Sequence, residues 1–139
     1  MEEVVEVRIP SNTRHLHAMR LLTQNLAESM GFGSKDCEKA ALAVEEALTN
    51  VIEHAYHGEE SRKMQVIYEI ESDKFTVRIL HNGDQIDLSP HAVEDFSHYY
   101  RKKKKGGLGI LLMRRCMDEV SYKSGAGLNE CCMIKYLRK

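Results

Sequence analysis

Val5, Val7 and Ile9 alternate with Glu6 and Arg8, a period of two that predicts a half-buried strand closed by Pro10. Ser11, Asn12 and Thr13 then offer capping oxygens to a helix bearing Leu16, Met19, Leu22, Leu26 and Met30. Gly31-Phe32-Gly33 stops that helix. Ser34 is the expected cap of a longer one that runs to His57-Gly58. On this second helix Ala40, Val44, Ala47, Leu48, Val51 and Ala55 form one apolar stripe. Val66, Tyr68 and Ile70 return to period two. A turn at Ser72-Asp73-Lys74 leads to Phe75, Val77 and Ile79, which predicts a hairpin.

The pattern then fades. Residues 81–90 (HNGDQIDLSP) read as loop, and His91 to Lys105 is polar and poorly periodic. Gly106, Gly107 and Gly109 lead into a third helix carrying Leu108, Leu111, Leu112 and Cys116. Val120 to Lys123 and Cys131 to Leu137 are the last two strands, with Ser124 to Asn129 as the turn between them. The order β-α-α-β-β-loop-α-β-β predicts an α+β fold. Its form is a two-layer α/β sandwich, a mostly antiparallel mixed sheet covered by helices on one face.

Composition narrows the picture without redirecting it. The chain has 139 residues, 42% hydrophobic and 29% charged, with two prolines, which fits one compact domain over 1–139 and excludes a disordered chain. No repeat or linker divides it. A net charge of -1 gives no general attraction to nucleic acid or to an anionic membrane. No apolar run is long enough to span a bilayer, and the acidic start is unlike a signal sequence. Cys37, Cys116, Cys131 and Cys132 lack metal or redox spacing and read as reduced thiols of a cytoplasmic protein.

Three stretches carry candidate chemistry. Glu46, Asn50 and His54 fall at i, i+4, i+8 beside the apolar stripe, where buried helix meets solvent. An asparagine oxygen there can hold a hard cation, with a carboxylate one turn away as a base. In His81-Asn82-Gly83-Asp84, Gly83 lets the backbone approach a flat ligand. Gly106-Gly107-Leu108-Gly109 opens a helix, where free N–H groups and the positive helix end attract an anion. Each is common alone; their joint order is specific. The run Arg101 to Lys105 stands just before this last stretch and can draw in polyphosphate or an acidic partner.

In that order EEALTNVIEHAY resembles the N box of the gyrase and histidine-kinase type ATPases, the Bergerat fold. The match is closest to the anti-sigma factor serine/threonine kinases of the RsbW and SpoIIAB type. KKGGLGILLMRRCMDEVSY resembles their G2 box and following helix, and GLNECCMIKYL their last strand. The resemblance implies an ATP-dependent protein serine/threonine kinase. Its partners would be a STAS-domain anti-anti-sigma protein and a sigma factor or equivalent regulator, and a homodimer is possible. It implies Asn50 as the magnesium ligand and Glu46 as the catalytic base. Lys105, Gly106, Gly107, Leu108 and Gly109 would cradle the phosphates, with His91 to Lys105 as the ATP lid. His81 and Gly83 would lie at the adenine.

One position departs from the family. Where its G1 box has an aspartate that accepts a hydrogen bond from the adenine amino group, this chain has His81. A neutral imidazole can accept such a bond but lacks the charge, and losing a charge-assisted bond costs about 1.5–3 kcal/mol. Weaker ATP binding or relaxed nucleotide selectivity is therefore expected. The alternative is a docking module of the same fold that has lost nucleotide binding.

Overall fold

The computed structural model describes residues 2–86 and 107–138; of Gly107 and Leu108 the backbone alone is described. Strand β1 (Glu3–Pro10) leads through a short 3-10 turn, Thr13–His15, into helix α1 (Leu16–Met30). Helix α2 (Ser34–Asn50) continues as a wider π-type turn over Val51–Ala55. Strands β2 (Lys63–Ile70) and β3 (Lys74–His81), helix α3 (Gly107–Cys116) and strands β4 (Glu119–Gly125) and β5 (Leu128–Tyr136) complete the order. The sheet runs β1-β2-β3-β5-β4, and every described pairing is antiparallel. The lid assigned to His91–Lys105, and with it Lys105 and Gly106, lies outside the described residues.

The sheet has one apolar face because its strands alternate in register. Met64, Val66 and Tyr68 on β2, Phe75, Val77 and Ile79 on β3, and Cys131 and Met133 on β5 are all buried in a single row system. The helices cover this face, with α2 packed between α1 and α3. All six residues of the predicted α2 stripe are buried. Burying each of Val44, Leu48 and Val51 contributes about 1.5–3 kcal/mol. Alanines at 40, 41, 43 and 47 keep α2 slim enough to sit between two helices and a sheet. Lys135 shares the buried face, but its Nζ donates to the Cys116 carbonyl at the end of α3 (2.7 Å). A cation there satisfies an orphan carbonyl and the negative helix end. On the opposite face Arg78 bridges Glu69 (3.1 Å) and Glu130 (2.9 Å). All four cysteines are free and buried.

Local details differ from the sequence expectation. Gly33, not Ser34, is the N-cap of α2, and no side chain caps that end. The final hairpin is tighter than Ser124 to Asn129: β4 and β5 pair through Gly125 and Leu128, leaving Ala126 (φ 53°) and Gly127 (φ 77°) as a two-residue turn. Positive φ at both positions is the geometry whose twist matches the strands. Gly107 and Gly109 are inside the first turn of α3 rather than ahead of it. Finally, α2 is not regular to His57-Gly58, because Tyr56 N–H bonds to the Val51 carbonyl five residues back (2.8 Å).

Candidate nucleotide site

That widened turn begins one residue after Asn50. Glu46 and Asn50 keep their i, i+4 relation on regular helix, whereas His54 lies inside the wide turn and leaves the predicted straight row. Asn50 is also not at the solvent boundary. It is 2% exposed because α3 packs over it, with its amide nitrogen 3.7 Å from Met113 Sδ. His54 is half-buried, and its Nε2 is enclosed without a hydrogen-bond partner among the described residues.

Gly109 brings α3 against this pair. A Cβ at 109 would stand 2.7 Å from Glu46 Oε2 and 3.8 Å from Asn50 Oδ1. A side chain there would push the Glu46 carboxylate aside, so glycine lets the first turn of α3 lie close to it. The arrangement places a carboxylate, a carboxamide oxygen and a helix N-terminus within one small volume. Burial raises the Glu46 carboxyl above its ordinary range, and nearby Glu45 and Glu53 push the same way. A carboxylate so held is a better proton acceptor than one in water.

The oxygen set also bears on a metal. Among the described residues no three His, Cys, Asp or Glu side chains gather around one point. A protein-only cage is therefore lacking there, but Asn50 Oδ1 is a hard donor of the kind magnesium takes alongside phosphate oxygens and water.

The second half of the site is the end of β3. His81 is 2% exposed on the helix-covered face, its ring edge-on to Tyr56 with centroids 5.8 Å apart. Gly83 N–H donates to His81 Nδ1 (3.2 Å). Burial, and then the Arg62 guanidinium, lower the His81 pKa. Gly83 is again a close approach: a Cβ would meet the Ala55 carbonyl at 2.6 Å and the Tyr56 ring at 2.7 and 2.8 Å. The loop is fastened on all sides. Asp84 N–H donates to the Ala55 carbonyl (3.0 Å), and Asn129 Nδ2 to the Gly83 carbonyl (2.8 Å). The Tyr56 hydroxyl donates to the Lys63 carbonyl (2.6 Å) and accepts from Asn82 N–H (3.2 Å). Arg62 lies over the Tyr56 ring at 4.3 Å and bonds Asn82 Oδ1 at 2.8 Å.

The structure thus brings Glu46, Asn50 and Gly109 together, and His81 with Gly83 one sheet end away. Gly107 and Leu108 lie in the same helix turn as Gly109. Sequence reasoning missed the anchors Tyr56, Arg62 and Asn129, as well as Met113 beside Asn50. Tyr56 ends the N-box-like stretch, which was a usable signal; the others touch the site through pairings that no local pattern encodes.

Residues 9–135 match the family described as histidine kinase-like ATPase domain. The chain is 33% identical to a serine-protein kinase RsbW of Bacillus velezensis, over 97% of this chain and 86% of the relative. It is 31% identical to a serine-protein kinase RsbW of Listeria monocytogenes, over 100% and 90%. Among solved structures, the RsbU and RsbW domains of a Mycobacterium tuberculosis protein superpose with a TM-score of 0.69 at 13% identity, covering 99% of this chain and 33% of that one. The SiaB-SiaC complex of Pseudomonas aeruginosa gives 0.60 at 14% identity, covering 96% and 89%. At such identities the structural likeness speaks for the fold.

Proposed function

Because this chain belongs to the histidine kinase-like ATPase domain family and, within it, to the serine-protein kinase RsbW relatives, we propose that it is an ATP-dependent serine/threonine kinase of the partner-switching type. Its substrate is a hydroxyl on a STAS-domain anti-anti-sigma protein, and it also binds a sigma factor or an equivalent regulator. The observation that carries the reading is the closeness of Gly109 to Glu46 and Asn50, where an added Cβ would stand 2.7 Å from Glu46 Oε2 and 3.8 Å from Asn50 Oδ1. It sets a proton acceptor and a cation ligand at the end of a helix whose free N–H groups can face phosphate oxygens.

In the reaction Glu46 takes the proton of the serine or threonine hydroxyl while that oxygen attacks the γ-phosphorus. The new O–P bond forms as the bond to the β-phosphate oxygen breaks, and ADP leaves. Asn50 and the phosphates would hold magnesium, which supplies neutralising charge on the triphosphate when bound. The backbone amides of Gly107 to Gly109 orient the same phosphates. Buried Asn50 and close-packed Gly109 fix these groups before substrate arrives, so the rate gain is mainly positioning and charge placement.

A titration with magnesium and ATP, followed by a phosphate-transfer assay on the STAS protein of the same organism, tests this. Saturable binding and a phosphorylated hydroxyl are expected. Binding without transfer would leave a nucleotide-gated docking module, and no binding at millimolar ATP would remove the kinase reading altogether.

A further inference from the structure

The Asn50 amide has two chemically opposite ends, and only its oxygen can serve a cation. The two ends are nearly equal in size, so packing alone does not decide which of them faces the site. Met113 decides it. This residue lies one turn past Gly109 on the same face of α3. Its Sδ is 3.7 Å from Asn50 Nδ2, and both side chains are buried. A thioether sulfur carries lone pairs and no proton, so of the two amide ends only the NH2 group can bond to it. Asn50 Oδ1 is then the end near Gly109, 3.8 Å from the position of a Cβ there, with Glu46 Oε2 2.7 Å from the same point. Turned over, the amide would set its oxygen against the sulfur lone pairs and its NH2 group on the side of the Glu46 carboxylate.

We infer that Met113 is a positioning residue for Asn50, its sulfur holding Nδ2 so that Oδ1 is presented at the first turn of α3, where the magnesium of a bound nucleotide would take it. This rests on the reading of Asn50 as the magnesium ligand and deepens it. Leucine would fill nearly the same room. It offers no acceptor, however, and a buried NH2 group left unpaired costs more than an ordinary hydrogen bond gains. With leucine at 113 the amide would turn and give its NH2 group to the Glu46 carboxylate, a stronger acceptor than sulfur. The cation would lose its oxygen, and the base would gain a hydrogen bond that opposes proton uptake. Met113 thus does more than fill the space over Asn50.

The effect is read in binding, apart from phosphate transfer, by calorimetric titration of the full chain with ATP in magnesium and in a chelator. Magnesium should tighten ATP binding by the unaltered protein. Met113→Leu should cut that advantage about fivefold, the worth of one ordinary hydrogen bond. Met113→Gln separates acceptor from packing, because its side-chain oxygen can accept from Nδ2 while its own amide is costly to bury. It should melt lower than Met113→Leu, yet keep the magnesium advantage within about twofold of the unaltered protein. An advantage undiminished in Met113→Leu, or lost as far in Met113→Gln as in Met113→Leu, would overturn this inference and leave the kinase reading standing. No magnesium advantage in the unaltered protein would overturn it together with the reading of Asn50 as the ligand.

Discussion

Both ends of the site are built on a glycine that leaves no room for a Cβ, yet the two glycines press on different things. At the phosphate end Gly109 faces the tip of a carboxylate side chain. At the base end Gly83 faces a backbone carbonyl and an aromatic ring, neither of which can step aside. Around Gly109 the Glu46 carboxylate is partly desolvated and stands near those of Glu45 and Glu53, of which Glu45 is paired with Arg20 at 2.7 Å. Around Gly83 almost every polar group is paired. In the proposed reading the phosphate end holds a partly desolvated carboxylate for the reaction, while the base end uses its bonds to fix a shape.

If that division is right, Glu46→Gln should lower phosphate transfer about 10²–10⁴-fold, the usual scale for a general base. Nucleotide affinity should move by less than about threefold, which parallel binding and single-turnover measurements would show. Gly109→Ala should cost about 10- to 100-fold in transfer by displacing the carboxylate. Its thermal midpoint should barely change, since alanine suits a helix and the group that must move is flexible. Gly83→Ala should behave in the opposite sense. Overpacking against the Ala55 carbonyl and the Tyr56 ring should destabilise the fold by about 1–3 kcal/mol, read in a denaturant titration.

The smallest effect concerns pH. A carboxyl raised on folding binds its proton more tightly in the folded state, so its ionisation weakens the fold as pH rises through the window above the ordinary value of 4.5. Glu46→Gln should therefore melt about 2–5 °C higher than the unaltered protein at neutral pH, and the gap should close below that value.

Legibility in the sequence followed burial. Strands β1 to β3 could be read because one face is covered and the other is wet, so polarity alternates residue by residue. The α2 stripe was legible for the same reason. The wide turn after Asn50 was not, because Val51, Ile52 and Ala55 look equally apolar whether the chain closes at four residues or five. The last hairpin was drawn too long, since Ser124, Gly125 and Leu128 are exposed and lose the alternation that marks a strand. Glu46, Asn50 and the glycines were visible as residue types at telling spacings. That the Gly83 N–H would bond His81 Nδ1 was not visible, because the contact depends on backbone geometry.

The central claim is that Gly109 serves to place Glu46, and a double-mutant cycle measures it directly. Transfer rates should be taken for Gly109→Ala, Glu46→Gln and the pair, at saturating nucleotide. If the glycine acts through the carboxylate, the double variant should be no slower than Glu46→Gln alone. If the two losses multiply, Gly109 affects transfer by some other route and the account of the phosphate end is wrong.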